Sequence, residues 1–381
     1  AMSNIYLMSD IVSHLNEEDL VYFLGDIKQL SPIGKGNPFR ALMSFLPCIE
    51  LGVSKRAAEN GTINYNCGLL NFASDGTVVE LQEGDDFKII PCKDIDIQRN
   101  VSSVFRDLLG KYNEDDIQVV TGYQNERYLC STTQLNPIIQ DIARNSNELL
   151  FMYNNKKYMV NDRVIHVHKN DYDMPRYRAV NGIYEEVVTF GVVNGELGKV
   201  LGCIKSTDVH FKKYNTNIPD EVYKMMSKDM QELHDRRVAR ETIRDNSLVS
   251  DENVVFVVVQ VYDVDLKENL LIFYEANYRP DLSNNVQTAV LSGGGLRYLE
   301  LAYALTTHKM QGSQSPVVII PLESNSSSSF MNRNMLNTMV TRASELVVLV
   351  GSVRGIDSLL TNGRRNTNTD EGEDVLSLLG G

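Results

Sequence analysis

Hydrophobic and polar positions alternate in blocks near the C-terminal end of the chain. Residues 301–305 form an apolar run, and the polar turn after it carries Thr, His, Lys and Gln and ends at Gly312. A second apolar run follows, then a predicted helix at residues 336–343 that carries Arg342, and then the apolar run 346–351. Parallel strands joined in this way place polar groups at the end of a sheet. Because backbone N–H groups and an arginine can converge there on anionic oxygens, the pattern indicates a phosphate-binding edge.

Two earlier runs predict strands of the same kind. Residues 20–24 are apolar and lead into Gly25 and Asp26, with Gln29 three residues on, which predicts a buried strand with a polar end. Residues 117–121 predict a short strand that ends in Thr121. Residues 3–15 predict a helix before the first of these strands. The pattern outside the middle of the chain is therefore that of an α/β protein.

The pattern changes character from residue 161. Alternating strands and Gly-rich turns predict a small antiparallel barrel, which ends in a strand hairpin formed by residues 253–264 and 268–278. Between these strands, residues 219–244 predict a helix. Its apolar positions either pack against the barrel or form a surface for a partner, and the pattern leaves both open. They are Val222, Met225, Met226, Met230 and Leu233.

The composition is typical of a cytoplasmic protein with two or three domains. The 381 residues are 43% hydrophobic, no apolar run reaches transmembrane length, and residues 1–15 do not read as a signal peptide. Five cysteines are scattered without Cys-x-x-Cys spacing, and His166 and His168 have no partner at ligand spacing, so neither disulfides nor a metal site is expected. A net charge of −13 argues against a general basic coat for DNA, but it leaves room for a local groove that binds single strands.

Three of these segments resemble motifs of superfamily 1 helicases, in particular the RecD-like branch. Residues 301–314 resemble motif V, residues 336–343 resemble motif VI, and residues 25–32 match the family form Gly-Asp-x-x-Gln-Leu-x-Pro of motif III. Residues 161–164 and 194–200 are similar to parts of the SH3-like insertion of that branch. Three motifs in the family's order are a far more specific signal than a lone Gly-rich turn.

The chain departs from the family pattern at several positions. Met310 and Gln314 stand where the family has Ser and Glu, and Asn337 replaces the usual Tyr. Gln314 can form hydrogen bonds but carries no charge. In the region that resembles motif IV, residues 55–57 read Lys-Arg-Ala where the family has Phe-Arg-Gln, and Arg56 takes the place of the family arginine.

The resemblance implies roles for individual residues. Gln29 would sense the γ-phosphate or the attacking water, and Arg56 and Arg342 would be catalytic arginines supplied to a nucleotide held by another domain. Asp26, Gly312 and Gln314 would belong to the nucleotide site. The residues expected to contact nucleic acid are Thr121, Thr306, His308, Lys309 and Gln311. The plainer alternatives are a hydrogen-bonded polar residue at a strand end for His308 and a surface arginine for Arg342.

Two parts of a helicase ATP site are missing from the sequence. No segment matches the P-loop pattern Gly-x-x-x-x-Gly-Lys-Ser/Thr, and no Asp-Glu pair follows an apolar strand as Mg²⁺ binding requires. In RecD-like enzymes those acids lie just before the helix that precedes motif III. The chain is therefore expected to be the C-terminal part of such an enzyme, with ATP and Mg²⁺ bound only in the intact protein and none bound to this chain alone.

The expected fold class is α/β, with a RecA-like parallel-sheet domain, an inserted SH3-like β-barrel and the tail of a first RecA-like domain. Residues 1–45 would be that tail, residues 46–160 and 294–381 the second RecA-like domain, and residues 161–293 the insert, with its helical insertion near 219–244. The implied function is ATP-driven 5′-to-3′ movement along single-stranded DNA.

The implied partners are single-stranded DNA, a missing N-terminal RecA-like domain and recombination or repair subunits, and no membrane is expected. Two other interpretations stay open: a natively short, non-catalytic nucleic-acid-binding subunit, and a helicase domain within a larger relaxase or nuclease.

Overall fold

The chain is described by a computed structural model as two compact units, residues 1–139 with 304–381 and residues 140–303. The described residues are 3–16, 18–27, 29–30, 32, 34–50, 57–58, 60–72, 79–144, 149–167, 174–187, 192–212, 254–280, 289–292, 294–324, 331–361 and isolated positions between 223 and 238. The predicted helix at 219–244 therefore lies largely outside the described residues, as does Arg56.

The helices among the described residues are α1 (Ile5–Ser13), α2 (Pro38–Leu42), α3 (Thr62–Phe72), α4 (Ile97–Leu109), α5 (Thr132–Ala143), α6 (Arg333–Val340) and α7 (Val353–Thr361). The strands are β1 (Phe87–Pro91), β2 (Ile117–Thr121), β3 (Leu149–Tyr153), β4 (Lys156–Met159), β5 (Arg163–His166), β6 (Arg176–Val180), β7 (Ile183–Val187), β8 (Leu197–Lys205), β9 (Val254–Asp263), β10 (Glu268–Pro280), β11 (Ala289–Ser292), β12 (Leu299–Leu301), β13 (Ala304–Thr306), β14 (Ser315–Leu322) and β15 (Ala343–Gly351).

Five of these strands form the parallel sheet of the first unit, in the order β1, β15, β14, β2, β13. All five residues of β2 are buried, and so are all residues of β14 except Pro316. Strands covered on both faces read as continuous apolar runs. α4 packs on this sheet, and its buried Ile97, Val101 and Phe105 recur at the spacing of one helix face. The predicted α/β class and the predicted strand at 117–121 are confirmed.

The prediction of a buried strand at residues 20–24 is wrong for this chain. The segment is irregular, and Leu20, Tyr22 and Leu24 are 80%, 76% and 84% exposed. A strand of this composition needs neighbours on both edges and cover on both faces. The paired strands among the described residues do not include this segment. The helix before it does form, as α1, with the Asn4 side chain accepting a hydrogen bond from the Leu7 N–H at 3.0 Å.

The second unit contains a ten-stranded, mostly antiparallel sheet. Its main path runs β12, β5, β8, β9, β10, β11, β3, β4, and the hairpin of β6 and β7 joins at β10. The predicted hairpin is confirmed as β9 and β10, which pair along ten residues from Asn277–Val254 to Glu268–Asp263. The unit begins at Gln140 and ends at Tyr303, so it includes β3 and β4, which the sequence analysis assigned to the RecA-like domain. The SH3-like barrel stays a prediction.

Asp162 ties together the two ends of this unit. Its fully buried carboxylate accepts hydrogen bonds from the Tyr303 hydroxyl at 2.8 Å, the Gln140 amide at 2.5 Å and the Met159 N–H at 2.6 Å. The Arg144 Nε lies 3.5 Å from the Asp162 Oδ1. Burial nevertheless raises the pKa of Asp162 above its ordinary value. The carboxylate therefore holds the first and last residues of the unit against each other.

Candidate functional site

The carboxyl ends of β2 and β13 lie side by side at one edge of the parallel sheet. Thr121 and Thr306 are paired in register at the ends of these strands. The next residue, Thr307, donates two hydrogen bonds to the Thr121 carbonyl, from its N–H at 2.9 Å and from its hydroxyl at 3.1 Å. The sheet thus brings Thr121 to the start of the polar turn that resembles motif V.

That turn is held by short-range backbone hydrogen bonds. The Met310 N–H bonds to the Thr306 carbonyl at 3.0 Å, and the Ser313 N–H bonds to the Met310 carbonyl at 3.1 Å. Met310 is 2% exposed, so it fills the interior of the turn. Gly312 has a φ of +90°, a conformation that favours glycine, because side chains with a Cβ are strained there.

The predicted functional side chains of the turn differ in their exposure. Lys309 and Gln311 are half-buried, and Gln314 is exposed. His308 is also half-buried, and burial lowers its pKa below the ordinary value of 6.5. Near neutral pH His308 is therefore expected to be uncharged, which leaves Lys309 as the formal positive charge on the turn.

Arg342 lies at the C-terminal end of α6 and is almost completely buried, with 1% of the residue exposed. Its Nε donates to the Thr338 carbonyl at 3.0 Å and its Nη1 donates to the Ser313 carbonyl at 3.3 Å. Its Nη2 lies 3.1 Å from the Gln29 Oε1 and 3.3 Å from the Thr341 hydroxyl oxygen. The guanidinium thus joins the polar turn, α6 and the segment that resembles motif III, and the alternative of a surface arginine is wrong.

The side-chain amide of Gln29 forms two hydrogen bonds, one as acceptor and one as donor. Its Oε1 accepts from Arg342, and its Nε2 donates to the Asp26 carboxylate at 3.1 Å. The adjacent Leu30 N–H donates to the Thr338 hydroxyl at 3.1 Å, which docks the segment on α6. Asp26, Gln29 and Arg342 therefore form one hydrogen-bonded chain, although Gln29 and Arg342 are more than three hundred residues apart in sequence.

The structure brings the predicted residues into two neighbouring groups within the first unit. Asp26, Gln29 and Arg342 form the first group. Thr121, Thr306, His308, Lys309 and Gln311 lie along the strand ends and the turn, and Gly312 follows them. Ser313 connects the groups, because its carbonyl accepts from Arg342. Gln314 lies just beyond, and among the described residues no hydrogen bond places it in either group.

Several residues of this edge were not predicted from the sequence. Glu323 follows β14 directly and accepts the Cys130 N–H at 2.5 Å, and burial raises the pKa of its carboxyl group. A carboxylate immediately after an apolar run was the signal that could have found it. The loop that follows β2 carries the stacked pair Tyr123 and Tyr128, which depends on the folded loop and has no spacing pattern in the sequence.

Two features are absent from the residues that the structure describes. These residues contain no cluster of three His, Cys, Asp or Glu side chains arranged to hold a metal ion. No described helix has the length and apolar character needed to cross a membrane.

Comparison with known proteins identifies one segment of this chain. Residues 301–350 match the family described as the UvrD-like helicase C-terminal domain. This range covers β13, the polar turn, β14, α6 and most of β15, and it includes Arg342. No curated protein matches the chain.

Solved structures similar to this chain include Pif1 helicases. The Candida albicans enzyme is 14% identical with a TM-score of 0.37, and the comparison covers 93% of this chain and 67% of that one. A Bacteroides Pif1 in complex with ADP-AlF3 and ssDNA is 16% identical with a TM-score of 0.31, covering 93% of this chain and 66% of that one. The chain thus spans about two thirds of the length of these proteins.

Proposed function

We propose that this chain is the C-terminal part of an ATP-dependent DNA helicase of the RecD-like branch, which moves 5′ to 3′ along single-stranded DNA. The observation that carries the proposal is the hydrogen bond between Gln29 and Arg342. It joins the segment that resembles motif III to the segment that resembles motif VI, and the latter lies within the match to the UvrD-like helicase C-terminal domain.

Arg342 has the chemistry of an arginine that stabilises phosphoryl transfer. It is a permanent cation held by oxygens of Thr338, Ser313 and Gln29. A phosphate oxygen carries charge and is a stronger acceptor than the neutral amide oxygen of Gln29. A γ-phosphate presented from the Gln29 side would therefore compete for Nη2 and draw the guanidinium toward the developing charge.

Gln29 would link this movement of the Arg342 guanidinium to the position of the attacking water. When Arg342 turns toward phosphate, the Gln29 Oε1 loses a donor and becomes available to a water molecule. The Gln29 Nε2 stays bound to Asp26, so the amide keeps its orientation. This arrangement suits a residue that positions an attacking water, as glutamines do in other nucleotide hydrolases.

The P-loop and the Mg²⁺-binding acids would lie on a RecA-like domain outside these residues. In this sequence no Asp-Glu pair follows an apolar strand, as such a magnesium site requires. The exposure of the apolar residues Leu20, Tyr22 and Leu24 supports this proposal. An apolar run of this kind is stable as a strand only when both of its faces are covered, and the sheet of such a domain would cover them.

Single-stranded DNA would run along the ends of β2 and β13. The half-buried Thr306 hydroxyl and the ammonium group of Lys309 are of the kinds that bind phosphate oxygens. Such contacts carry no sequence information, which suits a translocating enzyme. Thr121 is fully buried, so the predicted contact of its hydroxyl with DNA is wrong, and that hydroxyl oxygen instead accepts the Tyr123 N–H. The net charge of −13 predicts modest and salt-sensitive binding for the isolated chain.

The test compares this chain with the protein that includes the P-loop domain. The isolated chain should hydrolyse no ATP, with or without single-stranded DNA. In the longer protein, Arg342→Ala should lower DNA-stimulated ATP turnover by about 10³-fold, the scale of losing an arginine finger. Its dissociation constant for single-stranded DNA should change little.

Arg106→Ala is the matched control, because Arg106 is exposed on α4 and should leave turnover unchanged. ATP hydrolysis by the isolated chain would contradict the proposal. Near-normal turnover of the Arg342→Ala protein would show that the motif VI assignment is wrong. Movement from 3′ to 5′ on a strand labelled at one end would remove the RecD-like assignment alone.

A further inference from the structure

The loop that follows β2, residues 122–131, is folded tightly against the sheet edge. The Thr132 N–H donates to the Tyr123 carbonyl at 2.9 Å, and the Tyr128 N–H donates to the Asn125 carbonyl at 3.1 Å. Gly122 packs so closely on Met331 that a Cβ at this position would overlap the sulfur. These contacts fix the conformation of the loop, so its side chains need little further ordering to bind a ligand, which lowers the entropy cost of binding.

Three side chains of the loop form a column. The rings of Tyr123 and Tyr128 are stacked, with centroids 3.9 Å apart and planes 16° from parallel. The Cζ of Arg127 lies 4.9 Å from the centroid of the Tyr128 ring. The Tyr123 ring covers one face of the Tyr128 ring, so the face open to the Arg127 guanidinium is the opposite one. An Arg127 Nη2 bond to the Tyr128 hydroxyl at 3.2 Å further restrains the guanidinium.

The column runs from the interior to the solvent. Tyr123 is 6% exposed, Tyr128 is half-buried and Arg127 is exposed. An exposed guanidinium stacked on an aromatic ring adds little to stability, on the order of 0.5–1 kcal/mol. Its outer plane is, however, a surface of the type on which an unstacked nucleobase packs.

The column begins two residues after Thr121, at the same sheet edge as Thr306 and the polar turn. The Tyr123 N–H donates to the Thr121 hydroxyl oxygen at 3.3 Å, so the base of the column and the end of β2 form one structure. A strand whose phosphates meet Thr306 and Lys309 would pass beside Arg127. Phosphate contacts and base stacking are the two components of sequence-tolerant binding to single strands.

We propose that one unpaired base of single-stranded nucleic acid stacks on the outer end of this column, against the Arg127 guanidinium and Tyr128. The inference rests on the proposed function and adds a base-contacting position to its phosphate contacts. Stacking needs no particular base, so the position would hold any nucleotide as the strand moves. Arg127 and Tyr128 would be binding residues with no part in ATP hydrolysis.

The test measures binding of the isolated chain to two oligonucleotides at low salt, by fluorescence anisotropy. One is a short oligothymidylate, and the other has the same number of phosphates but abasic sugars. Arg127→Lys keeps the charge and loses the plane, and Tyr128→Leu removes the ring. Each should weaken binding to oligothymidylate by about 5- to 150-fold, the range of one base–aromatic stack. Neither should change binding to the abasic strand.

Three controls separate stacking from charge and from misfolding. Tyr128→Phe keeps the ring and should retain affinity. Arg106→Lys alters an exposed arginine on α4 and should have no effect. Arg297→Lys alters another arginine over a tyrosine, with its Cζ 4.7 Å from the Tyr298 ring centroid, and it should also leave binding unchanged.

The outcomes distinguish this inference from the proposed function. Equal weakening on both strands would mean that Arg127 contacts phosphate, and unchanged binding to both would mean that the column is structural. Either result overturns the inference while the proposed function stands. If the unaltered chain binds neither strand, the proposed DNA groove and the inference both fail.

Discussion

The hydrogen bond between Gln29 and Arg342 should be measurable as a coupling energy within the first unit. Gln29→Ala removes the acceptor of Arg342 Nη2 and the partner of Asp26. Arg342→Ala removes that bond and leaves the Thr338 and Ser313 carbonyls without this donor. In the double variant both side chains are removed, but the bond between them is lost only once. The difference between the summed single effects and the double effect isolates the shared bond.

The magnitude follows from the burial of the two groups. A hydrogen bond to a charged group contributes about 1.5–3 kcal/mol to stability. Water partly replaces the lost partner of half-buried Gln29, so the coupling should fall at or just below the lower limit of that range, about 1–1.5 kcal/mol. Arg342→Ala alone should cost about 3–5 kcal/mol, since the buried Thr338 carbonyl and the partly buried Ser313 carbonyl lose a donor and a large buried side chain is deleted.

Hydrogen exchange followed by mass spectrometry suits this measurement. The chain has two units, so a single melting curve would mix their transitions. Peptides covering α6 report the local opening free energy where Arg342 is attached. The four proteins of the cycle are compared on the same peptides at one pH and temperature.

A control cycle pairs Arg342→Ala with Gln314→Ala, an exposed glutamine just beyond Ser313. It should give a coupling near zero. If the Gln29 cycle also gives a value within error of zero, the bond does not hold the motif III segment on α6. The link between Gln29 and Arg342 in the proposed mechanism would then lose its structural support.

Three further results are expected. Asp162→Ala should destabilise the second unit by about 3–5 kcal/mol, because three buried donors lose their acceptor, and Asp162→Asn should cost less. Because the pKa of Asp162 is raised, its contribution to the stability of the second unit is greatest at acid pH and is lost as pH rises through the folded pKa. The stability of Asp162→Asn, measured by urea titration, should therefore lack this dependence on pH. His308 has a lowered pKa, so its contribution is present above the unfolded value near 6.5 and is lost as pH falls from there through the folded pKa; in urea titrations the stability of His308→Gln should fall less over that acid range. Iodoacetamide should alkylate exposed Cys48 quickly and Cys67 slowly, since burial raises the pKa of Cys67 to about 12, and mass spectrometry that finds equal rates would contradict this burial.

The strands of the first unit show how far local pattern reaches. Residues 117–121 are apolar and end in a hydroxyl, and they form β2 with Thr121 at the sheet edge. Residues 20–24 are at least as apolar, yet they form no strand among the described residues. The difference is that β2 has β14 and β13 on its two sides. Apolar character states that a segment should be buried, and only neighbouring segments can bury it.

The first and last residues of the second unit could not be predicted from local sequence pattern, for a similar reason. The first two strands after α5 lie within residues 46–160, which were predicted to belong to the second RecA-like domain. In the structure β3 pairs with β4 and with β11, which lies far away in sequence. Strand pairing over such separations depends on the complete fold, because hydrogen-bonding edges are equivalent until neighbours occupy them.

The chemical types at the candidate site were determined by the sequence itself. Thr306, His308 and Lys309 follow an apolar run, Arg342 precedes another, and this order in one dimension was enough to predict a phosphate-binding edge. The tertiary structure decided which of these groups meet. The Gln29–Arg342 bond and the column of Arg127 on Tyr128 and Tyr123 are contacts of side-chain planes and ends. Such contacts depend on distances of a few ångströms between folded segments, and residue order does not specify those distances before packing sets them.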